Sequence, residues 1–195
     1  GRGWHAVVGN EVGPRHDHIG DGLLVFSSDG ANVAYVAQDE GRCSVVLNGR
    51  RQAAYDDIVR NSLRFSADGQ QLGYAAVHGK AVSVVVNQRK YGPYDEIREG
   101  PTFSPDSTHV AFAVRHGAAW RVILDGRQRG AHPFVFSDSL TFSPDSRLLA
   151  YAAKDDRGEF VVVGGKAGAA HERVGFGPVF SRDGRNMAYA AATAK

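Results

Sequence analysis

The segment FSPDS at Phe103–Ser107 decides the fold, because four close relatives of it recur along the chain at almost constant spacing. The five segments begin 38 or 39 residues apart, at Phe26, Phe65, Phe103, Phe142 and Phe180. A period of this length is typical of propeller blades and short solenoid units. The sequence therefore predicts five copies of one structural module.

Two kinds of turn divide each copy into strands. After the phenylalanine, a Ser-x-Asp-Gly/Ser segment combines an Asp that can accept backbone N–H groups with a residue that can adopt positive φ. Later in the module, a dipeptide suited to a two-residue hairpin with positive φ at both positions follows a β-branched run. These dipeptides are Gly9-Asn10, Asn48-Gly49, Asn87-Gln88, Asp125-Gly126 and Gly164-Gly165.

Each copy is predicted to be a four-stranded antiparallel meander, whose strands we call a, b, c and d. Strand a carries the phenylalanine, strand c ends at the hairpin dipeptide, and strand d follows it. No stretch has helical periodicity of useful length, so the predicted fold is all-β. Strand b carries a recurring aromatic residue, at Tyr35, Tyr74, Phe112, Tyr151 and Tyr189.

The two chain ends indicate how the modules close. The chain begins with strands c and d and ends with strands a and b, so pairing between its ends would complete a last module and leave no sheet edge unpaired. An open solenoid would need polar terminal caps, which the sequence lacks. We therefore expect residues 1–195 to form a single five-bladed β-propeller with Velcro closure. Its blades are residues 20–58, 59–97, 98–135, 136–174, and 175–195 together with 1–19.

Composition narrows the possible partners. The chain has 23 basic and 21 acidic residues, a net charge of +2, which gives no reason to expect binding to nucleic acid or to a membrane surface. No apolar run approaches the 18 or so residues of a membrane helix. Cys43 is the single cysteine, so an intramolecular disulfide and an all-cysteine metal site are excluded. We expect a soluble monomer, and the sequence does not indicate a compartment.

The repeated Phe-Ser-x-Asp-Gly/Ser string, followed by an aromatic strand, resembles the WD-like repeats of TolB-type propellers and of the propeller in tricorn-type proteases. The resemblance covers the whole chain, with five copies where TolB-type propellers have six. It implies a propeller fold and structural roles for the strand-b aromatics and for the motif residues. Those motif residues are Phe26, Asp29, Phe65, Asp68, Phe103, Asp106, Phe142, Asp145, Phe180 and Asp183.

A second recurring set predicts the interaction surface. Connections d-to-a and b-to-c share one face of the predicted propeller, opposite the Asp turns. The b-to-c loops at 38–42, 78–80, 115–119 and 154–159 differ in length and charge, and loops on a rigid scaffold commonly carry binding sites. The alternative is that the Tyr/His positions of this face only pack between blades. The predicted ligand or partner residues are His16, Asp17, Tyr55, Asp56, Tyr94, Asp95, His132, His171 and Glu172, with Asp155 and Asp156 from the last loop.

Other candidate sites have weaker support. His16, His132 and His171 fall in different blades, so we expect no metal site, the alternative being a pair formed by His16 and His18. The channel should be bordered by the residues just before each phenylalanine. Among these, Arg64 either forms a salt bridge to a neighbouring blade or binds an anion or a trapped water cluster at the axis. The channel positions are Arg64, Thr102 and Thr141, with Val25 and Val179.

These patterns favour a non-catalytic propeller scaffold that binds a protein or a small ligand, without a cofactor. The Gly-Arg-Gly start, without an initiating Met, is compatible with a domain of a larger protein. The five turn aspartates are equivalent to one another, whereas a glycosidase needs two carboxylates with different roles. A glycan-binding propeller and a propeller-type glycoside hydrolase are the alternatives. Candidate carboxylates for the hydrolase are Asp39, Glu40, Asp155 and Asp156.

Overall fold

The computed structural model describes residues 3–192, apart from the side chains of residues 21–23. Every regular element in that range is a β-strand, and the paired strands are antiparallel, which confirms the all-β prediction. Within the described range there is no helix that is long and apolar enough to cross a membrane. The chain divides into two compact units, residues 1–93 and 94–195, which are described separately.

The first unit contains three antiparallel sheets. Strands β1 and β2 pair only with each other among the described residues, and each of the two larger sheets is a meander. The strands are β1 (Trp4–Val8) and β2 (Glu11–His16); β3 (His18–Phe26), β4 (Val33–Asp39), β5 (Arg42–Leu47) and β6 (Arg50–Tyr55); and β7 (Asp57–Ile58), β8 (Arg64–Phe65), β9 (Leu72–His78), β10 (Ala81–Val86) and β11 (Arg89–Tyr94), whose last residue falls in the second unit.

The second unit contains two further meanders and two short pairs, β21 with β24 and β22 with β23. Its strands are β12 (Glu96–Phe103), β13 (Val110–His116), β14 (Ala119–Leu124) and β15 (Arg127–His132); β16 (Phe134–Val135), β17 (Thr141–Phe142), β18 (Leu149–Asp155), β19 (Gly158–Val163) and β20 (Lys166–Ala167); and β21 (Arg173–Val174), β22 (Val179–Phe180), β23 (Met187–Ala188) and β24 (Ala191–Ala192).

Strand a is less regular than the sequence predicted. It is continuous only in β3 and β12, and there the register is broken by bulges. Elsewhere it splits into two-residue pieces, as in β7 and β8, because the chain turns away at Asn61, where φ is 59°. The Ser62 hydroxyl then takes the place of a ladder partner and accepts the N–H of Ala75 at 3.0 Å. The polar residues of this bend explain why strand a is split into two pieces there.

The second strand of each meander is buried on both of its faces. Five consecutive residues, Val33 to Ala37, are buried in β4, and β9, β13 and β18 each begin with the same five-residue run. A strand with one wet face would instead alternate buried and exposed side chains. The second strand of each meander is therefore shielded from solvent on both of its faces.

The hydrophobic core accordingly lies between successive sheets. In the first unit, Val36, Val45 and Tyr55 of one meander pack against residues such as Tyr74 and Val85 of the next. In the second unit, a cluster that includes Trp120, Val122, Leu140, Phe142 and Tyr151 joins the two meanders in the same way.

The hairpin turns follow the predicted chemistry. At Asn48-Gly49, for example, φ is 49° and 73°, and both residues of the other three internal dipeptides also have positive φ. The exception is Gly9-Asn10, where only Gly9 has positive φ, at 59°. The prediction of two positive φ angles was wrong there, since a glycine at the first position permits a turn in which the second residue has negative φ.

The Ser-x-Asp turns are closed by side-chain hydrogen bonds to the backbone. Asp29 Oδ1 accepts the Ser27 hydroxyl at 2.5 Å and the Ala31 N–H at 3.0 Å, and these bonds lower the pKa of Asp29. Neighbouring turns also bind one another, because Ser28 donates its hydroxyl to the Ala67 carbonyl at 2.6 Å. The same Ser-to-Asp bond occurs at Asp68, Asp106, Asp145 and Asp183.

The recurring phenylalanines differ in burial, although the resemblance implied the same structural role for all five. Phe142 is 9% exposed and stacks on His109 of the preceding turn, with ring centroids 6.5 Å apart. Phe65, Phe103 and Phe180 are half-buried, whereas Phe26 is 53% exposed. No Ser-x-Asp turn precedes Phe26 in the first unit, so nothing there occupies the place that His109 has beside Phe142.

The unequal burial leads to a stability prediction. Phe142→Ala should lower the free energy of unfolding by about 3 to 5 kcal/mol, since it removes a buried ring from the core. Phe26→Ala should lower it by less than about 1 kcal/mol, because that ring is largely solvated. Urea unfolding of the two variants beside the parent chain measures both values. Equal losses at the two positions would contradict the burial difference.

Candidate functional site

The b-to-c connections are more uniform than the sequence predicted. Each one is a two-residue turn, at Glu40-Gly41, Gly79-Lys80, Gly117-Ala118 and Asp156-Arg157. The prediction that these loops differ in length was wrong, because the strands continue through polar residues such as Gln38 and Asp39. Only the charge of the turns varies.

Three of the predicted partner-binding aspartates hold these turns in place. Asp17 accepts the N–H of Glu40 at 3.0 Å, Asp56 accepts that of Gly79 at 2.6 Å, and Asp95 accepts that of Gly117 at 2.7 Å. Their carboxylates thus have a structural function that the sequence pattern did not indicate.

The Tyr/His positions also have internal partners, since each one contacts the strand-b aromatic that follows 18 or 19 residues later. In three modules, the imidazole Nε2 lies within hydrogen-bonding distance of the tyrosine hydroxyl. The distances are 3.4 Å for His16 and Tyr35, 3.0 Å for His132 and Tyr151, and 3.0 Å for His171 and Tyr189. Tyr55 with Tyr74 and Tyr94 with Phe112 make the equivalent ring contacts, both with centroids 6.2 Å apart.

These contacts agree with the alternative interpretation, in which the Tyr/His positions pack between sheets. His16 and Tyr55 are buried, so direct contact with a partner was the wrong expectation for these two residues. Burial raises the pKa of Tyr151 to about 12 and lowers the pKa of His132, which keeps both side chains neutral near pH 7.

The remaining candidates are the carboxylates Asp39 and Glu40, of which one is engaged within the fold and the other is exposed. Asp39 lies 2.7 Å from His16 Nδ1 and also pairs with Arg51, so its carboxylate is already engaged. Glu40 is exposed at its turn. Among the residues that the structure describes, no group of three or more His, Cys, Asp or Glu side chains could hold a metal ion.

The predicted channel residues differ in exposure. Arg64 is exposed and forms no ion pair with a described residue, so the predicted salt bridge is not found there. Thr102 and Thr141 are half-buried, and the Thr102 hydroxyl has no hydrogen-bond partner within the described part of the chain.

The hairpin residues serve the fold. Asn48 Oδ1 accepts the N–H of Val33 at 2.9 Å, and Asp125 Oδ1 accepts that of Val110 at 3.0 Å. Each side chain ties its hairpin to the start of strand b in the same sheet.

One part of the predicted surface forms a groove in the second unit. The groove has a volume of about 430 Å³ and lies between the Asp156-Arg157 turn and the segment before β21. It brings together four predicted residues, Asp155, Asp156, His171 and Glu172, and is lined further by Lys154, Arg157, Gly158 and Ala170.

This turn departs from the pattern of the other three. Pro133 replaces the capping aspartate, and Asp155 itself accepts the Arg157 N–H at 2.9 Å. Asp155 also pairs with the Arg157 guanidinium at 2.8 Å, which lowers the pKa of its carboxyl group. The carboxylates of Asp156 and Glu172 make no hydrogen bond with described residues and remain open to the groove.

The wall of the groove includes a buried polar atom without a partner. His171 Nδ1 makes no hydrogen bond within the described residues, while its Nε2 faces Tyr189. The backbone of His171 pairs with Glu159 in both directions, at 2.8 and 2.9 Å. Gly158 is necessary beside it, because a Cβ there would collide with the His171 carbonyl oxygen.

Repeated antiparallel meanders that cover one another face to face are the layered arrangement of β-propeller folds. No protein-family model and no curated protein sequence matches the chain. Among solved structures, the chain is similar to a eukaryotic initiation factor, with a TM-score of 0.59 and 15% identity over 89% of this chain and 48% of that one.

It is also similar to an oligogalacturonate lyase in complex with manganese, with a TM-score of 0.53 and 12% identity over 87% of this chain and 61% of that one. These two likenesses support a propeller-type fold, and at such low identity they concern the fold alone. TolB from Acinetobacter baumannii matches with 19% identity and a TM-score of 0.49, over 80% of this chain and 44% of that one. A TM-score below 0.5 is too low to carry an argument. The chain spans about half the length of these structures.

The buried His132 gives a pH-dependence prediction. Burial lowers the pKa of His132 in the folded chain below its ordinary value of about 6.5. At pH values below 6.5, the unfolded chain therefore protonates this residue more readily than the folded chain does. The stability due to neutral His132 is thus present above pH 6.5 and is lost as the pH falls through the folded-state pKa. His132→Tyr, which copies Tyr55 and Tyr94, should flatten the decline in unfolding free energy between pH 7 and 5.

The control is His78→Gln, since the His78 side chain is 68% exposed. Urea unfolding at several pH values measures the slope for each variant. An unchanged slope in His132→Tyr, or the same flattening in His78→Gln, would rule out His132 as the source.

Proposed function

We propose that the chain is a non-catalytic β-propeller scaffold of the TolB-like type, which binds a protein or small polar ligand in the groove beside Asp156 and Glu172. This proposal rests on the difference between carboxylates that are hydrogen-bonded within the fold and carboxylates that are not. The turn aspartates, the capping aspartates and Asp39 are occupied by hydrogen bonds within the fold, whereas Asp156 and Glu172 face the groove with no such bond.

Hydrolysis of a glycoside has less support than binding. That chemistry needs two carboxyl groups in different environments, one acting as an acid and the other as a base or nucleophile. Asp155 is paired with Arg157, and this ion pair lowers its pKa, which is opposite to the change that a general acid near neutral pH requires. The groove suits recognition of hydroxyl, amide or amine groups, which its charged and polar lining can bind.

The ligand site can be tested with saturation-transfer NMR against a library of simple sugars, amides and amines. Hits should bind the parent chain and lose about fivefold or more in affinity in Asp156→Ala/Glu172→Ala, since contact residues commonly contribute 1 kcal/mol or more. Glu11→Ala, an exposed carboxylate in the first unit, is the matched control. If the hits bind the double variant as tightly as the parent chain, the groove is not their binding site.

A parallel assay addresses catalysis. Incubation with aryl glycosides and soluble polysaccharides should give no sugar release that depends on Asp155 or Asp156. Release that disappears in Asp155→Asn or Asp156→Asn but persists in the turn variant Asp183→Asn would establish the hydrolase instead.

We further propose five blades in a ring closed by the terminal strands. The support is the apolar surface left at both ends of the chain. In the first unit, β1 and β2 expose Trp4, Val7 and Val12 by 54%, 58% and 65%, and in the second unit Phe176 and Val179 are 79% and 62% exposed. Closure would cover such surfaces and would give Phe26 the preceding turn that it lacks.

Solution scattering tests closure. A closed monomer of 195 residues should have a radius of gyration of about 16 Å, from the scaling for compact domains. Deleting residues 1–10 should then cause aggregation or a large fall in Tm, because it removes strand c of the last blade. A clearly larger radius, a dimer by light scattering, or an unchanged Tm after the deletion would contradict closure.

A further inference from the structure

Arg98 in β12 lies between two aromatic rings of the second unit. Its guanidinium carbon is 4.2 Å from the ring centroid of Trp120 in β14 and 4.7 Å from that of Phe134 in β16. Phe136 packs edge-on against Phe134 at 5.1 Å and extends the apolar surround. The two rings therefore shield part of the guanidinium from water, while Arg98 as a whole is only half-buried and can still be approached by a hydrogen-bond acceptor.

The donors of this guanidinium have no acceptor within the described residues. Arg98 Nε is buried without a partner, and Arg98 forms no ion pair there. The nearby carboxylates are engaged elsewhere, since Glu96 pairs with Arg115 at 2.9 Å. Glu99 accepts the N–H groups of Ser139 and Leu140 at 3.0 and 3.1 Å. The fold thus holds a partly desolvated cation in place and does not neutralise it.

Only one module carries this charge. Arg98 directly follows Ile97. In the other modules, the equivalent residues follow Ile19, Ile58, Val135 and Val174, and they are Gly20, Val59, Phe136 and Gly175. A structural need common to all modules cannot explain an arginine that four of them lack. A partly buried unpaired donor also costs free energy, so its presence calls for a compensating partner.

We propose that Arg98 is a binding site for a carboxylate carried by an acidic peptide segment of a protein partner. A guanidinium presents in-plane donors that match the two oxygens of a carboxylate, and this match is strongest where water is excluded. Arg, Trp and Phe are also side chains enriched at protein interfaces.

The charge count favours a carboxylate over a phosphate. One unpaired guanidinium supplies a single positive charge, which a carboxylate neutralises, whereas a phosphate monoester carries a charge of about −1.5 to −2 near pH 7. Lys154, the sheet partner of Phe134, is paired with Glu159 at 3.7 Å, and Arg115, the sheet partner of Trp120, is paired with Glu96.

This site does not depend on the groove proposed above, although the two are adjacent because Phe134 pairs with Lys154 in the sheet. The groove would bind through Asp156 and Glu172, which have the opposite charge. A variant at Arg98 leaves both carboxylates in place, so failure of one proposal is distinguishable from failure of the other.

The test follows the Arg98 Nε–Hε signal by ¹⁵N NMR on the full chain. The probes are acetyl-Gly-Glu-Gly-amide, the same peptide with Gln in place of Glu, and inorganic phosphate. We expect a saturable shift with the Glu peptide and binding at least tenfold weaker with the Gln peptide, with phosphate also weaker than the Glu peptide. In Arg98→Lys, binding of the Glu peptide can be followed by the Trp120 indole N–H signal. Its affinity should fall at least tenfold, because lysine keeps the positive charge but lacks the paired in-plane N–H donors of the guanidinium. Arg127→Lys, at an exposed arginine of the second unit, should leave this affinity unchanged.

Several outcomes would overturn the proposal. Equal responses to the Glu and Gln peptides would show that the carboxylate is not recognised, and tighter binding of phosphate would assign the site to phosphate esters. The absence of a saturable shift would leave Arg98 with a packing role only. The titration of the parent chain decides these points even if Arg98→Lys fails to fold.

Discussion

The structure depends on the burial of the second strand of each meander on both of its faces. The second strand of a meander has no wet side, as in β4, where Val33 to Ala37 are all buried. One meander alone would expose half of this apolar surface, so its stability comes from its neighbours, as in other repeat proteins. Small residues in these strands, such as Ala34 in the cluster that includes Tyr74 of the next sheet, leave room for the aromatic rings of the adjacent layer.

Burial on both faces restricts where polar groups can lie. Turns at one end of the strands are closed by Ser-to-Asp bonds, and those at the other end are held in three modules by aspartates from the preceding d-to-a connection. Each of these carboxylates satisfies backbone N–H groups that would otherwise be unpaired. The contacts between Tyr or His and the strand-b aromatics join one layer to the next beside these turns. Most repeated polar residues are therefore explained by the fold.

Local chemistry explains which features were predictable from the sequence. Hairpins such as Asn48-Gly49 and the Ser-x-Asp turns depend on neighbouring residues, and both were found as expected. The burial of each phenylalanine was not predictable, because it depends on whether another turn, such as the one that carries His109, lies beside the ring. The length of the b-to-c turns was missed because residues like Asp39 remain in the strand despite their low strand propensity, held by the ladder to β5. Of the candidate site, the sequence named Asp155, Asp156, His171 and Glu172 individually but did not indicate that they line one groove.

The residues that depart from the repeat are the ones that the fold does not explain. Pro133 cannot cap a turn with a side-chain carboxylate, and the turn that it fails to cap is the one that forms the groove. Arg98 stands where other modules have Gly, Val or Phe, and its two aromatic neighbours, Trp120 and Phe134, come from two later strands, β14 and β16. A spacing pattern identifies what the modules share, so it passes over such positions. In a protein built from equivalent modules, a charged side chain that occurs in one module and lacks an internal partner carries information about recognition that the repeated motifs do not.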